Sequence, residues 1–386
     1  MNSHSPSSTF HPRRILVRGV NWLGDAVMTT PALLRLREKF PDAHITLLTP
    51  EKLADLWKDH PAVNQTIGFG SREGLFAVAK KICADQFDLA LVLPNSPRSA
   101  MEVSLARIPH RIGYARPWRN FFLTQTVASR PEAVKMHKRS VAEVKQLVAA
   151  DVNRRQTSAS RVLTNPAAPA HQIHEYLHLV AALGASSEAL VPQLFVTQEE
   201  VEAAKKKFGL EKISGPILGL NPGAEYGPAK RWPVERFITA AQQIQPKTNC
   251  VWLLFGGKND EATVTQIQSV IGTARPTFGR QSAINLAGQT SLRELMALLK
   301  LCRVLLTNDT GPMHVAAALG TRVVVPFGST SPELTGPGLP GDPRHHLLKS
   351  DAPCSPCFLR ECPIDFRCMN GIDVARVVEA VIEAVK

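Results

Sequence analysis

Apolar residues along the first part of the chain alternate between short buried runs and longer stretches with helical spacing. The run Arg14–Val20 ends in a loop, and a helical pattern follows from Ala26 to Phe40. The same alternation continues with predicted strands at 44–48, 65–69 and 89–93 and predicted helices at 52–58 and 75–85. Such strand and helix pairs predict an α/β fold, a doubly wound parallel sheet covered on both faces.

The pattern changes in the middle of the chain and then begins again. Residues 133–183 are mainly helical, interrupted by a polar stretch from Asn153 to Pro169 that reads as a loop or linker. A second alternation predicts strands at 217–221, 250–255, 304–307 and 322–326 and helices at 234–245, 260–271, 292–299 and 313–319. We therefore expect two Rossmann-like domains, at 13–185 and 186–370, followed by an amphipathic helix within 371–386.

Length and composition agree with two soluble globular domains. The chain has 386 residues, of which 44% are hydrophobic and 20% are charged, so disorder is excluded as its main state. No run approaches the roughly 18 apolar residues that cross a bilayer, and the start of the chain lacks the apolar stretch of a secretory signal. These features predict a cytoplasmic protein with a disordered leader at residues 1–12.

The chain is basic, with 45 Lys and Arg against 33 Asp and Glu, for a net charge of +12. Such an excess suits nucleic acid, an anionic membrane or a phosphorylated small molecule, and composition does not choose among them. The basic residues occur in short groups rather than in one block with interleaved aromatics. Solvated helix faces explain each group taken alone.

Four of the seven cysteines are crowded near the end of the chain. Cys354, Cys357, Cys362 and Cys368 form the pattern C-x2-C-x4-C-x5-C in a proline-rich segment. The first pair has the spacing of zinc ligands but the second does not, so a structural zinc site is the weaker alternative to a reduced, cysteine-rich loop. Two disulfides would require an oxidising compartment, which the missing signal disfavours.

Loops after predicted strands carry the candidate chemistry of the first domain, because parallel sheets bind ligands beyond the carboxyl ends of their strands. Asp25 stands where the first helix begins, as either a helix cap or a general base toward a hydroxyl. Asn95, Ser96 and Arg98 follow the strand at 89–93 and suit a sugar or phosphate, although a plain turn explains them nearly as well. The G-x-G-x-x-G fingerprint of dinucleotide enzymes is absent.

Three loops of the second domain have the composition of an anion site. Residues 222–233 contain glycines for close backbone approach and the cations Lys230 and Arg231. The segment 307–314 predicts a helix start that offers the N–H groups of Thr310 and Gly311 to an anion, beside Asp309 and His314. Asp309 or Thr310 as a cap, and His314 as a buried histidine, are the structural alternatives. In the third loop, after the predicted strand 250–255, Asp260 either accepts hydrogen bonds from ribose hydroxyls or caps its helix.

With these motifs assembled, the chain resembles the ADP-heptose:lipopolysaccharide heptosyltransferases of glycosyltransferase family 9, and the loop at 222–233 is most similar to enzymes that add the second inner-core heptose. That family has the GT-B fold, in which two Rossmann-like domains face a cleft and the last helix crosses back to the N-terminal domain. The resemblance spans nearly the whole chain and rests on six segments in the same order, at residues 20–33, 91–100, 108–114, 220–233, 285–292 and 307–320.

The resemblance implies a role for each candidate residue. Asp25 matches the catalytic base, and the donor ADP-heptose is bound by residues matching Lys230, Asp260, Asp309, Thr310, Gly311 and His314. The acceptor is a lipid-linked inner-core saccharide bound by the N-terminal domain, with Asn95, Ser96 and Arg98 as candidate contacts. No cofactor or metal is required, and the enzyme would work at the cytoplasmic face of the inner membrane.

The motifs are also compatible with other functions. A first-heptose transferase or another GT-B transferase of lipopolysaccharide core assembly would share the nucleotide motifs while changing the sugar pocket. A nucleic-acid-binding protein rests on the net charge alone and leaves the glycine-containing loops unexplained.

Overall fold

The computed structural model describes residues 11–134, 136–151, 161–164, 169–272 and 282–386. The strands are β1 (Arg14–Arg18), β2 (His44–Pro50), β3 (Gln65–Phe69), β4 (Leu89–Val92), β5 (His110–Tyr114), β6 (Gln125–Val127), β7 (Arg161–Thr164), β8 (Ile217–Asn221), β9 (Val251–Leu254), β10 (Ala283–Asn285), β11 (Val304–Thr307), β12 (Arg322–Phe327) and β13 (His346–Lys349).

The helices alternate with these strands. They are α1 (Leu23–Met28), α2 (Thr30–Lys39), α3 (Leu75–Cys83), α4 (Pro97–Leu105), α5 (Val141–Asp151), α6 (Ile173–Ala181), α7 (Gln198–Lys207), α8 (Val234–Thr248), α9 (Glu261–Ile271), α10 (Leu292–Leu301), α11 (Gly311–Ala318), α12 (Pro332–Thr335), α13 (Arg367–Asn370) and α14 (Val374–Val385). Short 3₁₀ helices occur at Glu51–Trp57, Asn120–Phe122, Pro228–Lys230 and Lys258–Asp260.

The chain folds into two compact units. Unit 1 comprises the described residues up to 133 together with 173–190, and unit 2 comprises those of 134–172 and 191–386. This division differs from the predicted boundary near 185 because α6 packs against α2, and Tyr114 donates its hydroxyl hydrogen to the carbonyl of Glu175. The predicted leader lies outside the described residues except for positions 11 and 12.

Unit 1 contains a six-stranded parallel sheet in the order β3-β2-β1-β4-β5-β6. Its central strand β1 pairs with both β2 and β4, with Ile15 opposite Ile45 and Leu89. Apolar side chains of these strands are fully buried against α3 and α4, so the sheet is covered as the continuous hydrophobic runs predict.

The predicted helix Ala26–Phe40 is divided in the structure at Thr29, between α1 and α2. The Thr29 and Thr30 hydroxyls donate to the carbonyls of Ala26 and Val27, at 2.7 and 2.8 Å. The helix breaks here because Pro31 has no N–H to donate to the preceding turn and because the two threonine hydroxyls compete for the carbonyls of that turn.

Unit 2 contains a seven-stranded sheet in the order β10-β9-β8-β11-β12-β13-β7, parallel except for β7. Strand β7 lies within the stretch 153–169, which the sequence predicted to be a loop or linker, and it pairs antiparallel with β13 at the sheet edge. The rest of that predicted linker lies outside the described residues, apart from Pro169. A short edge strand of four residues has too few positions to show a period-two pattern, so periodicity does not predict it.

The C-terminal helix α14 packs in the core of unit 2, whereas the sequence predicts that it crosses back to the N-terminal domain. Val377, Val381 and Ala384 are buried in the same core cluster as Phe237 and Ile244 of α8. Asp373 caps the helix by accepting from the Ala375 N–H at 3.0 Å. The apolar stripe of α14 is therefore used within unit 2, against α8 and the strands β11 to β13.

None of the helices within the described residues is both long and apolar enough to cross a lipid bilayer.

Candidate active site

An ion pair lies where three neighbouring strands of unit 2 end. Lys230 follows β8, Asp309 follows β11 and Thr330 follows β12, and these strands are adjacent in the sheet. The Lys230 Nζ lies 2.6 Å from Oδ2 of Asp309, and the Thr330 hydroxyl donates to the same oxygen at 2.6 Å. The Lys230 side chain keeps 14% of its surface exposed while Asp309 is buried, so the ammonium is held in place yet reachable from solvent.

Asn308 ties the two loops of this ion pair together. Its side-chain oxygen accepts from the Trp232 N–H at 2.9 Å, and its amide donates to the Pro222 carbonyl at 2.7 Å. Asn221 adds a buried hydrogen bond to the Thr307 hydroxyl at 3.0 Å. The sequence carries no signal for this role of Asn308, because its partners on the loop after β8 come together with it only in the fold.

Helix α11 begins beside the ion pair, as predicted. Thr310 occupies its N-cap position, and within the described part of the chain its hydroxyl makes no capping hydrogen bond. Gly311 is the first helical residue and Pro312 follows. The partial positive charge of a helix start thus lies next to the Lys230 ammonium, an arrangement that favours an anion.

His314 lies one turn into α11 and is buried. Burial lowers the pKa of its imidazole to about 4; Asp309 opposes this shift and Lys230 adds to it. The ring is therefore neutral at pH 7, so its role is that of a hydrogen-bonding or packing group rather than a cation.

Buried neutral histidines make the stability of the protein depend on pH. The pKa values of His60 and His345 are also lowered to about 4 by burial, against 6.5 in the unfolded chain. Between these values the unfolded state binds more protons, so stability falls as pH falls through this window, by about 1–2 kcal/mol per histidine at pH 5. We expect lower thermal unfolding midpoints at pH 5 than at pH 7. Between pH 7 and pH 5 the unfolding midpoint of the His314→Asn variant should fall by less than that of the unmodified protein. An equal fall would contradict the assignment of His314 as a buried, neutral histidine.

Asp260 reaches the loop 222–233 from a neighbouring strand end, after β9. Its Oδ2 accepts from the Gly257 N–H at 3.0 Å, and its Oδ1 lies 3.8 Å from Nη2 of Arg231. A Cβ atom at Gly223 would lie 2.7 Å from the Asp260 Cγ, so glycine is required for this approach. Asp260 stands at the N-cap position of α9, but its carboxylate accepts from the preceding Gly257 N–H instead of capping the helix, and it lies against Gly223 of the loop 222–233.

Tyr226 connects the same loop to the cysteine-rich segment, a contact that sequence reasoning missed. The Lys230 Nζ lies 4.9 Å and the Arg360 guanidinium carbon 5.2 Å from the centre of its ring. Its hydroxyl donates to the Phe358 carbonyl at 2.8 Å, and the Ala229 N–H donates to the Arg360 carbonyl at 2.9 Å. The segment around Arg360 therefore supports the loop that carries Lys230.

The four clustered cysteines are free thiols, and Cys354 and Cys357 pack with Val144 of α5 in a small apolar cluster. Burial, and then the neighbouring thiols, raise the pKa of Cys354 and raise that of Cys368 to about 12, so both stay protonated at neutral pH. Among the residues that the structure describes, no three His, Cys, Asp or Glu side chains are arranged to hold a metal ion.

Asp25 is the third residue of α1 in unit 1 and is partly exposed. The N-cap position belongs to Trp22, so Asp25 is not the helix cap that the sequence left as an alternative. The loop before it is anchored by Arg18, whose guanidinium pairs with the buried Glu102 at 2.8 Å and donates to the Asn21 side chain at 3.1 Å. Asp25 thus stands at the carboxyl end of β1 on a well-supported loop.

The three candidate acceptor residues lie after β4 with distinct contacts. Ser96 caps α4 by accepting from the Ser99 N–H, and Asn95 accepts from Nη1 of the buried Arg119 at 3.1 Å. Arg98 pairs with Glu102 at 3.1 Å and keeps half of its side chain exposed. Of the three, Arg98 presents a charge to solvent, whereas the Ser96 and Asn95 side chains hold the loop. Arg18, Glu102 and Arg119 carried no sequence signal beyond being charged residues in apolar surroundings.

The Glycosyltransferase family 9 (heptosyltransferase) family model matches residues 75–160 and 150–366. The chain is 32% identical over 336 residues to lipooligosaccharide heptosyltransferase 2 of Haemophilus ducreyi, covering 84% of this chain and 86% of that protein. It is 31% identical to lipopolysaccharide heptosyltransferase 2 of Escherichia coli K12, with 84% and 85% covered.

The fold is similar to a solved E. coli structure described as ADP-heptose lps heptosyltransferase II. The TM-score is 0.73 at 27% identity, with 96% of this chain and 98% of that chain covered. Because the chain has two doubly wound units and is similar to this heptosyltransferase structure, it has the GT-B fold that the sequence predicted. The chain belongs to glycosyltransferase family 9, the heptosyltransferases.

Proposed function

We propose that this glycosyltransferase moves L-glycero-D-manno-heptose from ADP-heptose to the first heptose of the lipopolysaccharide inner core, with inversion at the anomeric carbon. The observation that carries the proposal is the Lys230–Asp309 ion pair beside the start of α11. A fixed ammonium next to a helix start suits the pyrophosphate of a nucleotide sugar. The named relatives, which are heptosyltransferases 2, support heptose as the transferred sugar.

Asp25 supplies the base in this proposal. The acceptor hydroxyl oxygen forms a bond to the anomeric carbon of the donor as its proton passes to the Asp25 carboxylate. The bond between that carbon and the β-phosphate oxygen breaks, and its electron pair leaves with ADP. A positioned carboxylate contributes about 10²–10⁴-fold to such a step.

Unit 2 stabilises the leaving group. Negative charge grows on the β-phosphate as the glycosidic bond breaks. Lys230 and the backbone N–H groups at Thr310 and Gly311 are suited to offset it, and preorganised donors of this kind need no rearrangement during the reaction. Asp309 and Thr330 fix the Lys230 ammonium, and Asp260 shapes the same loop through Gly223.

The donor is tested with purified enzyme, a heptosylated inner-core acceptor and a panel of ADP- and UDP-linked sugars, with products identified by mass. We expect turnover of ADP-heptose to exceed that of UDP-linked hexoses by at least about 100-fold, since both the nucleotide and the sugar contribute binding energy. Equal turnover of a UDP-sugar would assign the enzyme to a different transfer.

We expect the reaction to proceed without a divalent cation. A lysine and a helix start provide the positive charge that Mg²⁺ supplies in other nucleotide-sugar sites, so excess EDTA should leave the initial rate within about twofold of the untreated enzyme. Loss of turnover in EDTA, restored by adding Mg²⁺ or Mn²⁺, would contradict this leaving-group account.

The proposal also places the enzyme at a membrane. Its acceptor is lipid-linked, and a net charge of +12 favours association with anionic lipid. We therefore propose that the protein is peripheral at the cytoplasmic face of the inner membrane.

A further inference from the structure

Large aromatic side chains are exposed at one edge of the sheet in unit 1. Trp118 is 82%, Phe121 86% and Phe76 75% exposed, and Trp22 is 46% exposed. Trp22, Phe76 and Trp118 follow β1, β3 and β5, which run parallel, so these three lie beyond the carboxyl ends of their strands. Phe121 lies three residues after Trp118, on the turn that leads from β5 to β6. We call Trp22, Phe76, Trp118 and Phe121 the aromatic rim. Trp118 and Phe121 share one turn, and large apolar side chains exposed side by side in this way are typical of an interaction surface.

The turn that carries Trp118 and Phe121 is firmly anchored. Between these two residues, Arg119 is fully buried and donates to Asn95 at 3.1 Å, and the Asn120 side chain accepts from the Arg116 N–H at 2.9 Å. The neighbouring Phe122 packs against the core of unit 1. The exposed rings are therefore displayed by an ordered turn.

Trp118 adopts a left-handed backbone conformation, with φ of 63°. This region is unfavourable for a bulky side chain, and the indole gains little burial within the chain in return. A strained residue that displays an exposed indole is better explained by a partner outside the chain than by folding.

Cations accompany the aromatic rim. Lys52 lies after β2 with its Nζ 5.7 Å from the centre of the Trp22 ring. Arg72 follows β3 and Arg98 follows β4, and both are exposed. Of the carboxylates at this edge, Glu73 is paired with Lys81 at 2.8 Å, which offsets its charge, whereas Glu51 is exposed and Asp25 is partly exposed. Tryptophan and phenylalanine beside lysine and arginine is the composition of surfaces that bind the headgroup region of anionic membranes.

We propose that the carboxyl edge of the unit 1 sheet docks on an anionic lipid surface, with Trp118 and Phe121 entering the headgroup region and the surrounding cations contacting lipid phosphates. The identification of the membrane as the one holding the acceptor rests on the proposed function. The contact itself does not, because lipid binding is measured without donor or acceptor.

The test is flotation of the full-length protein with vesicles of phosphatidylethanolamine and phosphatidylglycerol, compared with vesicles of phosphatidylcholine alone. The double variant Trp118→Ser/Phe121→Ser is expected to bind the anionic vesicles at least about tenfold more weakly than the unmodified protein, because binding scales with the apolar area inserted. Leu105→Ala is the matched control: it removes an exposed apolar side chain, 42% exposed, at the far end of α4, and should leave binding unchanged.

Two further readouts separate a membrane role from other roles. Brominated lipids should quench tryptophan fluorescence of the unmodified protein, and Trp118→Phe should lose most of that quenching. With a deacylated, water-soluble acceptor, the double variant should keep its unfolding midpoint and its turnover. Unchanged vesicle binding by the double variant, or no binding by the unmodified protein, would overturn the proposal. So would a loss of turnover on the soluble acceptor with vesicle binding intact, which would assign the rings to the acceptor saccharide.

Discussion

Replacing Asp25 with alanine is expected to lower kcat by about 10²–10⁴-fold, because the variant has no group to accept the proton of the acceptor hydroxyl. Asp25 is the third residue of α1, behind the cap position at Trp22, so its removal does not delete a cap. The affinity for ADP should change less than about twofold, since the proposed nucleotide contacts all lie in unit 2. Stopped-time product assays and calorimetric titration of ADP measure the two quantities on the same sample.

Asp25→Asn is the matched variant for this experiment. It keeps the size and hydrogen-bonding capacity of the side chain and removes the basicity, so it should be nearly as inactive as Asp25→Ala. If Asp25→Asn turns over nearly as fast as the unmodified enzyme, Asp25 is not the base, and its role is only a favourable interaction with the positive end of α1.

Replacing Lys230 with alanine is expected to weaken ADP-heptose binding by about 10–100-fold and to lower kcat as well. The first effect follows from losing a charge-assisted contact worth about 1.5–3 kcal/mol, and the second from losing charge stabilisation of the departing ADP. Kd for ADP and the steady-state constants for ADP-heptose separate the two. Lys247→Ala, which removes an exposed lysine from the last turn of α8, should leave both unchanged.

The same substitution leaves the buried Asp309 carboxylate without its cation, so lost stability must be separated from lost binding. The double variant Lys230→Met/Asp309→Asn removes the uncompensated charge. We expect it to recover the unfolding midpoint while donor affinity stays low. Recovery of donor affinity along with stability would show that Lys230 serves the fold and does not bind the pyrophosphate.

Much of the fold could be predicted because strands and helices depend on patterns of apolar residues that are close together in the sequence. Continuous apolar runs mark strands such as 304–307, and helical spacing marks the segments between them. The rule that parallel strands present ligand sites at their carboxyl ends then directs attention to the loops with Asp25, Lys230 and Asp309. The structure places Lys230 and Asp309 in contact because β8 and β11 are neighbours.

Features that depend on distant partners could not be predicted in this way. Arg18 and Glu102 are 84 positions apart, and neither shows in sequence that it is buried with the other. The contact of Tyr226 with the carbonyl of Phe358 spans 132 positions and depends on how the cysteine-rich segment folds back. The apolar stripe of α14 predicts a packed helix, but which surface it covers is a property of the assembled core.

The decisive measurement for this enzyme is the order in which the two inner-core heptoses are added. Purified enzyme with ADP-heptose is given two acceptors separately, Kdo-lipid A without heptose and the same molecule carrying one heptose, and the products are resolved by mass spectrometry. We expect the addition of a single heptose to the heptosylated acceptor and no product from the unheptosylated one. Heptose transfer to the unheptosylated acceptor, with the heptosylated one left unchanged, would contradict it.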